Sequence, residues 1–527
     1  MDKQSTDVVI VGAGASGLAF AWRLASLQPE ISIKVIERGD FVDQRNAPSL
    51  NNDWEIALLR RFHGNPNIRR GDADYPVEDS DTPIKPSFFN AVGGSTIRWG
   101  AHFPRFRPSD FSVKSQDGVA RDWPISYQDL ENYMDINDEK MGVSGLAGDP
   151  GNPCRAERPH PPLGLCEGSS KLARAANRLG WHWWPADAAI ISTDRPGGGR
   201  QACNNCGPCG MGCPRHARAS ADIAYLEDVL ALGVNVETRS VVSHIQISGG
   251  KAHSIDIIDK NGIKKNIVCR ELILAGNALS TNVLLQSSEG WNNSKLGKGL
   301  MLHPTAIVTG IFAEELHSYT GPFATSLVSQ EFYETHPERD FVRGFQLQAL
   351  RSQGPLSTAL GGYGKSVSWG RGHAKIFEQS FAKSMSLTVT CEDLPEDINR
   401  IEINSEKRDR FDMPIAKMSY RLSENTKKMI GFGVDRASDW LAKAGAHKIN
   451  VTKLSEQAGF HLMGTASMGE AGDGCVTGDD GRVHGLENVT IIDASVFVTA
   501  SPVNPTSTLQ ALALRAADLM HHRLAQC

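Results

Sequence analysis

The sequence predicts an α/β protein in which a domain built on a βαβ-wound sheet is interleaved with an α+β domain built on an antiparallel sheet. Three observations carry this. The opening D-V-V-I-V-G-A-G-A-S-G-L-A-F-A-W-R-L-A reads as a buried strand, a tight glycine turn and a helix, and I-S-I-K-V-I-E-R-G adds a second strand. After Asp222 a helix and the runs V-N-V-E-T-R-S-V-V, S-H-I-Q-I, K-A-H-S-I-D-I-I and E-L-I-L-A-G-N-A return to that first sheet. Between about Thr305 and Lys453, alternating runs such as S-M-S-L-T-V-T-C and N-R-I-E-I-N precede a long helix around 425–445, the pattern of an antiparallel sheet backed by helices.

With 527 residues the chain asks for two domains rather than one core. The pattern divides it into 1–125, 203–304 and 454–527 for the first domain and 126–202 with 305–453 for the second. Residues 126–200 are rich in Pro, Gly and Asn, with helical fragments such as 169–179, and read as substrate-side structure. No internal repeat or low-complexity tract is present, which argues against a solenoid.

Composition excludes several function classes. Hydrophobic residues are 40% and charged residues 22%, which suits an ordinary globular chain with no long apolar run and no membrane span. The formal charge of -5 comes from 55 basic and 60 acidic residues mixed along the chain, so nucleic acid is not an expected partner. M-D-K-Q-S-T passes at once into a strand-like stretch without a basic leader or apolar h-region, and synthesis and folding in the cytoplasm are expected. A partner subunit could still carry the folded chain out of the cytoplasm or onto a membrane.

Gly12, Gly14 and Gly17 form G-x-G-x-x-G between strand and helix, and Glu37 follows Gly17 by twenty residues at the next strand end. This is the Rossmann-like pattern for a dinucleotide: glycines admit the pyrophosphate to the helix N-terminus, and the acid accepts hydrogen bonds from ribose hydroxyls. The motif does not separate NAD from FAD. N-A-V-G-G-S-T-I-R-W-G at 90–100 is a second glycine turn, for which a hairpin is the plain reading.

The chain then offers H-L-M-G-T-A-S-M-G, I-I-D-A-S-V-F and S-P-V-N-P-T-S-T-L-Q-A-L-A-L-R-A-A-D. Taken in order with the two glycine turns, these segments resemble the glucose–methanol–choline (GMC) oxidoreductases, through both ends and much of the middle. The resemblance implies FAD rather than NAD and a GMC, p-hydroxybenzoate hydroxylase-like architecture. It places Ser16, Gly93, Gly94, Ser95, Asp493, Ala494, Asn504, Pro505 and Thr506 at the cofactor, with Asp493 by its ribityl-phosphate portion. It also sets His461 and Asn504 over the substrate; many members carry a second histidine where this chain has Asn504. An alcohol gives up hydride readily only as its proton leaves, an imidazole is suited to take that proton, and an amide can orient the hydroxyl without competing for it. His303, in G-L-M-L-H-P, is expected to be structural.

Cys203, Cys206, Cys209 and Cys213 are spaced C-x2-C-x2-C-x3-C and followed by Pro214, a run that holds iron–sulfur clusters in bacterial proteins. Thiolates so spaced are expected to converge, with Gly207, Gly210 and Gly212 easing the winding. Tetrahedral zinc and unmetallated thiols are the other readings. The run, with R-D-W-P-I-S-Y-Q-D-L-E at 121–131, looks like the catalytic subunit of bacterial FAD-dependent sugar dehydrogenases. By that resemblance Cys203, Cys209 and Cys213 hold a 3Fe-4S cluster, while Cys206 either completes a 4Fe-4S cluster or lies beside it. The implied activity oxidises a CH–OH group of a sugar or related alcohol, with electrons leaving through the cluster to a cytochrome or other acceptor and a small chaperone-like subunit as partner. An oxidase of the same fold that reduces O2 and a non-catalytic electron-transfer subunit are the alternatives. Trp99, Trp183 and Trp184 are candidates for stacking on a sugar. The other cysteines, at 154, 166, 269, 391, 475 and 527, are scattered and read as core or surface thiols.

Overall fold

A computed structural model describes residues 3–195, 199–362 and 369–526. The first strand, Lys3–Val11, owes its central place to its V-V-I run: Val8, Val9 and Ile10 are fully buried, as a strand covered on both faces requires. It pairs in parallel with Ile33–Ile36 on one side and with Lys264–Leu274 on the other. Asn235–Glu237 extends the sheet beyond Ile33–Ile36, and Val489–Ile491 lies parallel to the end of Lys264–Leu274. Lys251–Ile258 and Val241–Ser248 close the far edge as an antiparallel pair, so this seven-stranded sheet is mixed. The helix Ala15–Leu27 packs against Thr506–Ala525, tied by Arg23 to Asp518 at 2.6 Å.

The second sheet has six strands in the order Lys448–Thr452, Thr305–Ile311, Ser384–Cys391, Phe345–Leu350, Leu327–Ser329 and Trp184–Pro185, with antiparallel pairing throughout. Its two faces differ in chemistry because side chains alternate. Val308, Phe345, Leu347, Leu387 and Val389 face a core shared with the helix Glu424–Ala444. That helix starts where Ser423 Oγ accepts the Thr426 amide at 3.0 Å and stops at Gly445, whose φ of 104° few other residues tolerate. Trp440 anchors it, fully buried, with its indole N–H donating to Leu172 O at 2.8 Å. Truncating such a side chain to alanine costs about 3–5 kcal/mol. The opposite face, carrying Thr305, Gln348, Thr388 and Thr390, is polar.

Two expectations need correcting. All of N-R-I-E-I-N after Asn399 lies in Arg400–Arg408, which forms a separate three-stranded sheet with Pro414–Ser419 and Val77–Glu78 and is not part of the six-stranded one. The segment 90–100 is no hairpin: Gly93 and Gly94 take positive φ and feed a single 3-10 turn, Gly94–Ile97. Among the described residues no helix is long and apolar enough to cross a membrane.

Candidate active site

A cavity of about 1240 Å³ lies between the glycine turn of the first sheet and the polar face of the second. Each glycine of the turn has its own reason. Gly12 has φ 106°, and a Cβ there would lie 2.5 Å from Ala275 O; at Gly17 it would lie 2.0 Å from Gly12 O. Gly14 is different. A Cβ on Gly14 would meet no protein atom nearer than Gly94 Cα at 3.9 Å, so its hydrogens face open cavity where a pyrophosphate fits. Glu37 lines the same space; its carboxylate accepts the amides of Ala13 at 2.8 Å and Gly39 at 2.7 Å, while burial pushes its pKa up.

The remaining cofactor-side candidates gather here. Gly93 N–H donates to Ala13 O at 2.8 Å, which sets Gly94 against Gly14. Ser16, Gly94, Ser95, Asp493, Ala494, Asn504, Pro505 and Thr506 line the cavity, whereas Gly17 and Gly93 stand behind the wall. Asp493 is buried with its carboxylate accepting from Ser495 Oγ at 2.6 Å and from the Thr281 hydroxyl. Two helix N-termini, those of Ala15–Leu27 and Thr506–Ala525, open on this space, and Gln510 Nε2 donating to Ala15 O at 3.2 Å holds them together. Anionic phosphate oxygens suit such termini, so the residues present fit a dinucleotide.

His461 and Asn504 meet at the cavity floor, with Asn504 Nδ2 3.4 Å from His461 Nε2. Burial, with His303 and His102 adding to it, holds the His461 pKa well below the usual histidine range. His303 was expected to be structural, yet its Nδ1 lies 2.8 Å from His461 Nδ1 behind the wall. His102, which the sequence reading missed, lines the cavity; Gln346 Nε2 lies 3.1 Å from its Nε2, and burial pushes its pKa down to about 4. The polar face of the second sheet also went unread. Thr388 stands opposite Gln348, and Thr390 opposite Thr305, so all four line one wall. Their signal was present as Ser384, Ser386, Thr388 and Thr390 on every second residue of one strand. Of the tryptophans, Trp99 lines the cavity, while Trp184 borders a small separate cleft.

The cysteine loop lines this cavity with residues 207–211, Cys209 among them. Gly207 and Gly212 take φ 115° and 98° around a 3-10 turn, Cys209–Met211. The winding leaves Cys206 exposed, Cys203 and Cys209 half-buried and Cys213 buried. The thiols are close enough that Cys203 and Cys213 add to the raised pKa of Cys209, which burial first pushes up to about 12. They do not converge as expected: among the described residues no three His, Cys, Asp or Glu side chains are gathered to hold a metal ion. Arg200, Arg218 and Arg351 stand near these thiols. Their hydrogen bonds run to the carbonyls of Met141, Ala217, His216, Thr96, Ile97 and Thr320 and to Gln44, and none forms an ion pair with a described carboxylate.

Comparison with known proteins identifies the architecture. Two GMC oxidoreductase family models match residues 86–305 and 395–513, and an NAD(P)-binding Rossmann-like model matches 10–70. The chain belongs to the GMC oxidoreductase family. Membership, together with the nucleotide-binding domain, makes it an FAD-binding oxidoreductase. It is 33% identical to 2-methyl-1,2-propanediol dehydrogenase of Mycolicibacterium austroafricanum, over 98% of this chain and 95% of the relative. It is 25% identical to the fructose dehydrogenase large subunit of Gluconobacter japonicus over 99% of each chain. Paromamine 6'-oxidase of Streptomyces fradiae is 26% identical over 98% of this chain and 91% of its own. The fold is shared with pyridoxine 4-oxidase from Mesorbium loti, at a TM-score of 0.68 and 15% identity, covering 98% of this chain and 99% of that one.

Proposed function

We propose that this GMC oxidoreductase is a dehydrogenase that oxidises a CH–OH group of a sugar or related polyhydroxy alcohol to a carbonyl. The observation that carries the reading is the meeting of His461 and Asn504 at the floor of a cavity whose far wall presents Thr305, Gln348, Thr388 and Thr390. FAD, held by the glycine turn, Glu37 and the two helix N-termini, supplies the hydride acceptor when bound. His461 Nε2 takes the hydroxyl proton, which lets the carbon release hydride. Asn504 donates to the same oxygen and stabilises its developing charge. The polar wall hydrogen-bonds the substrate's other hydroxyls.

Dehydrogenase is preferred to oxidase on two grounds: the relatives acting as dehydrogenases, and the cysteine loop beside the cavity. Arg351 and Arg218, without described carboxylate partners, pull the Cys203 and Cys209 thiols toward ionisation, but burial outweighs them and leaves both thiols raised, so a bound metal would have to supply the rest. The thiols as placed do not form a ligand set, so no electron step is derived through them. The same reading takes a cytochrome or other one-electron carrier as acceptor and a small chaperone-like subunit as partner.

The test mixes flavin-loaded protein anaerobically with a sugar, a linear polyol and a short diol and follows bleaching of the flavin. Bleaching by the polyhydroxy compounds, and no hydrogen peroxide once air is admitted, is the expected result. Peroxide at the turnover rate establishes an oxidase; no bleaching by any alcohol removes the catalytic reading.

A further inference from the structure

We propose that His303 is a positioning residue that fixes His461 in the one neutral tautomer whose cavity-facing nitrogen, Nε2, is free to accept a proton. The proposal deepens the reading of His461 as base and rests on it.

His303 Nε2 lies 2.7 Å from Ser501 O and 3.3 Å from Ala500 O. Carbonyl oxygens only accept, so this nitrogen carries a hydrogen. His303 is fully buried with no carboxylate among its hydrogen-bond partners, and burial pushes its pKa down to about 4, so the ring is neutral and carries no second hydrogen. Its Nδ1 is therefore bare. Nδ1 of His461 stands 2.8 Å away, and one of two facing nitrogens must donate. The donor is His461, whose own single hydrogen is thereby committed to Nδ1. Its Nε2 is left as a lone pair, facing the Asn504 amide 3.4 Å away.

The same contact survives the reaction. Once Nε2 has taken a proton, Nδ1–H still donates to His303, so the ring does not have to turn. His303 cannot take that proton onward, because a second charge-bearing hydrogen there would sit in a fully buried site. A carboxylate in this place would stabilise the imidazolium and raise the base's pKa. A neutral histidine orients without that effect and leaves the base unprotonated near neutrality.

The surroundings hold His303 in turn. Ser501 sits at φ 56°, a left-handed backbone that aims its carbonyl at the ring. Its Oγ is 2.8 Å from the hydroxyl of Tyr333, which donates to Asp110 at 2.6 Å, and Asp110 pairs with the buried Arg343 at 2.6 Å. On the other side Thr305 Oγ1 donates to His303 O at 2.7 Å.

The test compares His303→Leu, which removes the acceptor, with His303→Asn, whose Oδ1 falls near the place of Nδ1 and keeps it. His303 does not line the cavity, so both variants should bind FAD fully. Leucine is expected to slow flavin reduction about 10- to 100-fold without raising KM and to change the acid limb of its pH profile. Asparagine should recover most of the rate. A direct readout needs no turnover: in protein with 15N-labelled histidine, His461 Nε2 should give a bare-nitrogen shift in wild type and lose that fixed state in His303→Leu. A protonated His461 Nε2 in wild type at neutral pH overturns the proposal, as does a His303→Leu variant with wild-type rate and pH profile. Equal loss of rate and FAD in both variants assigns His303 to structure alone and also overturns it. Failure of the base reading itself shows separately, in a His461→Ala variant that reduces flavin at the wild-type rate.

Discussion

Glu37 Oε2 accepts the amide of Ala13 at 2.8 Å, so the acid expected to meet a ribose also pins the glycine turn to the second strand. Its other oxygen takes Gly39 N–H at 2.7 Å. Removing the carboxylate strands two backbone donors, and Glu37→Ala should cost about 1–3 kcal/mol for each group left unpaired. The check is urea unfolding of the FAD-free protein, where ribose contacts cannot contribute. A variant as stable as wild type would show that the turn does not depend on Glu37.

The glycine turn allows a sharper separation. Because a Cβ at Gly14 meets only open cavity, whereas one at Gly17 would overlap Gly12 O, Gly14→Val should fold and lack FAD while Gly17→Val should fail to fold. Flavin absorbance per protein and the thermal midpoint decide. A fully flavinated Gly14→Val would place the pyrophosphate elsewhere.

His461→Ala should slow flavin reduction by about two to four orders of magnitude, the range for a general base, with FAD retained. Burial holds the base's pKa well below the usual histidine range. The base is therefore already deprotonated at neutrality, and the wild-type rate should stay level through neutral pH and fall only in acid. A rate that climbs through pH of about 6.5 would mean an unperturbed histidine.

His102 and His303 make the fold acid-sensitive. Both are buried with pKa values pushed from 6.5 to about 4. The unfolded chain then binds more protons than the folded one between these limits, so stability present above pH 6.5 is lost as pH falls toward about 4. Each histidine contributes a slope of about 1.4 kcal/mol per pH unit in that window. His102→Gln should flatten the acid limb of stability against pH; an unchanged limb would place the proton uptake on other groups.

How much of this was legible follows the range of the contacts involved. G-x-G-x-x-G could be read because its constraints are local, between Gly12, Gly17 and the helix that begins at Ala15. The long helix ending at Gly445 was placed to within a residue or so for the same reason. His303 could not be read as a neighbour of His461, since 158 residues separate them and nothing in either segment encodes the shared hydrogen. Alternation marks Thr388 and Thr390 as sharing a face but not as the cavity face, which depends on where the helix Glu424–Ala444 packs. The run N-R-I-E-I-N went to the wrong sheet because its sheet is completed by a parallel strand, Val77–Glu78, from far upstream. Cysteine spacing offered four candidate donors; whether they converge depends on the turns at Gly207 and Gly212 and on what the loop binds.

Cys213 is buried, and its Sγ accepts the Arg218 amide at 3.4 Å; the Arg218 guanidinium beside it has no described carboxylate partner. Serine keeps an oxygen acceptor for the amide while losing the soft thiolate that iron prefers. If the loop carries a cluster, Cys213→Ser should lower iron and sulfide content and sharply reduce transfer to a cytochrome. Flavin reduction by substrate should survive, because the hydride step depends on His461, Asn504 and the cofactor site, from which Cys213 is absent. The measurements are metal content and two rates, substrate to flavin and flavin to cytochrome, on protein made with iron supplied and oxygen excluded. Stoichiometric zinc without iron in the wild type would remove the electron-exit reading. Peroxide formation in air by that same protein would then put the oxidase in its place.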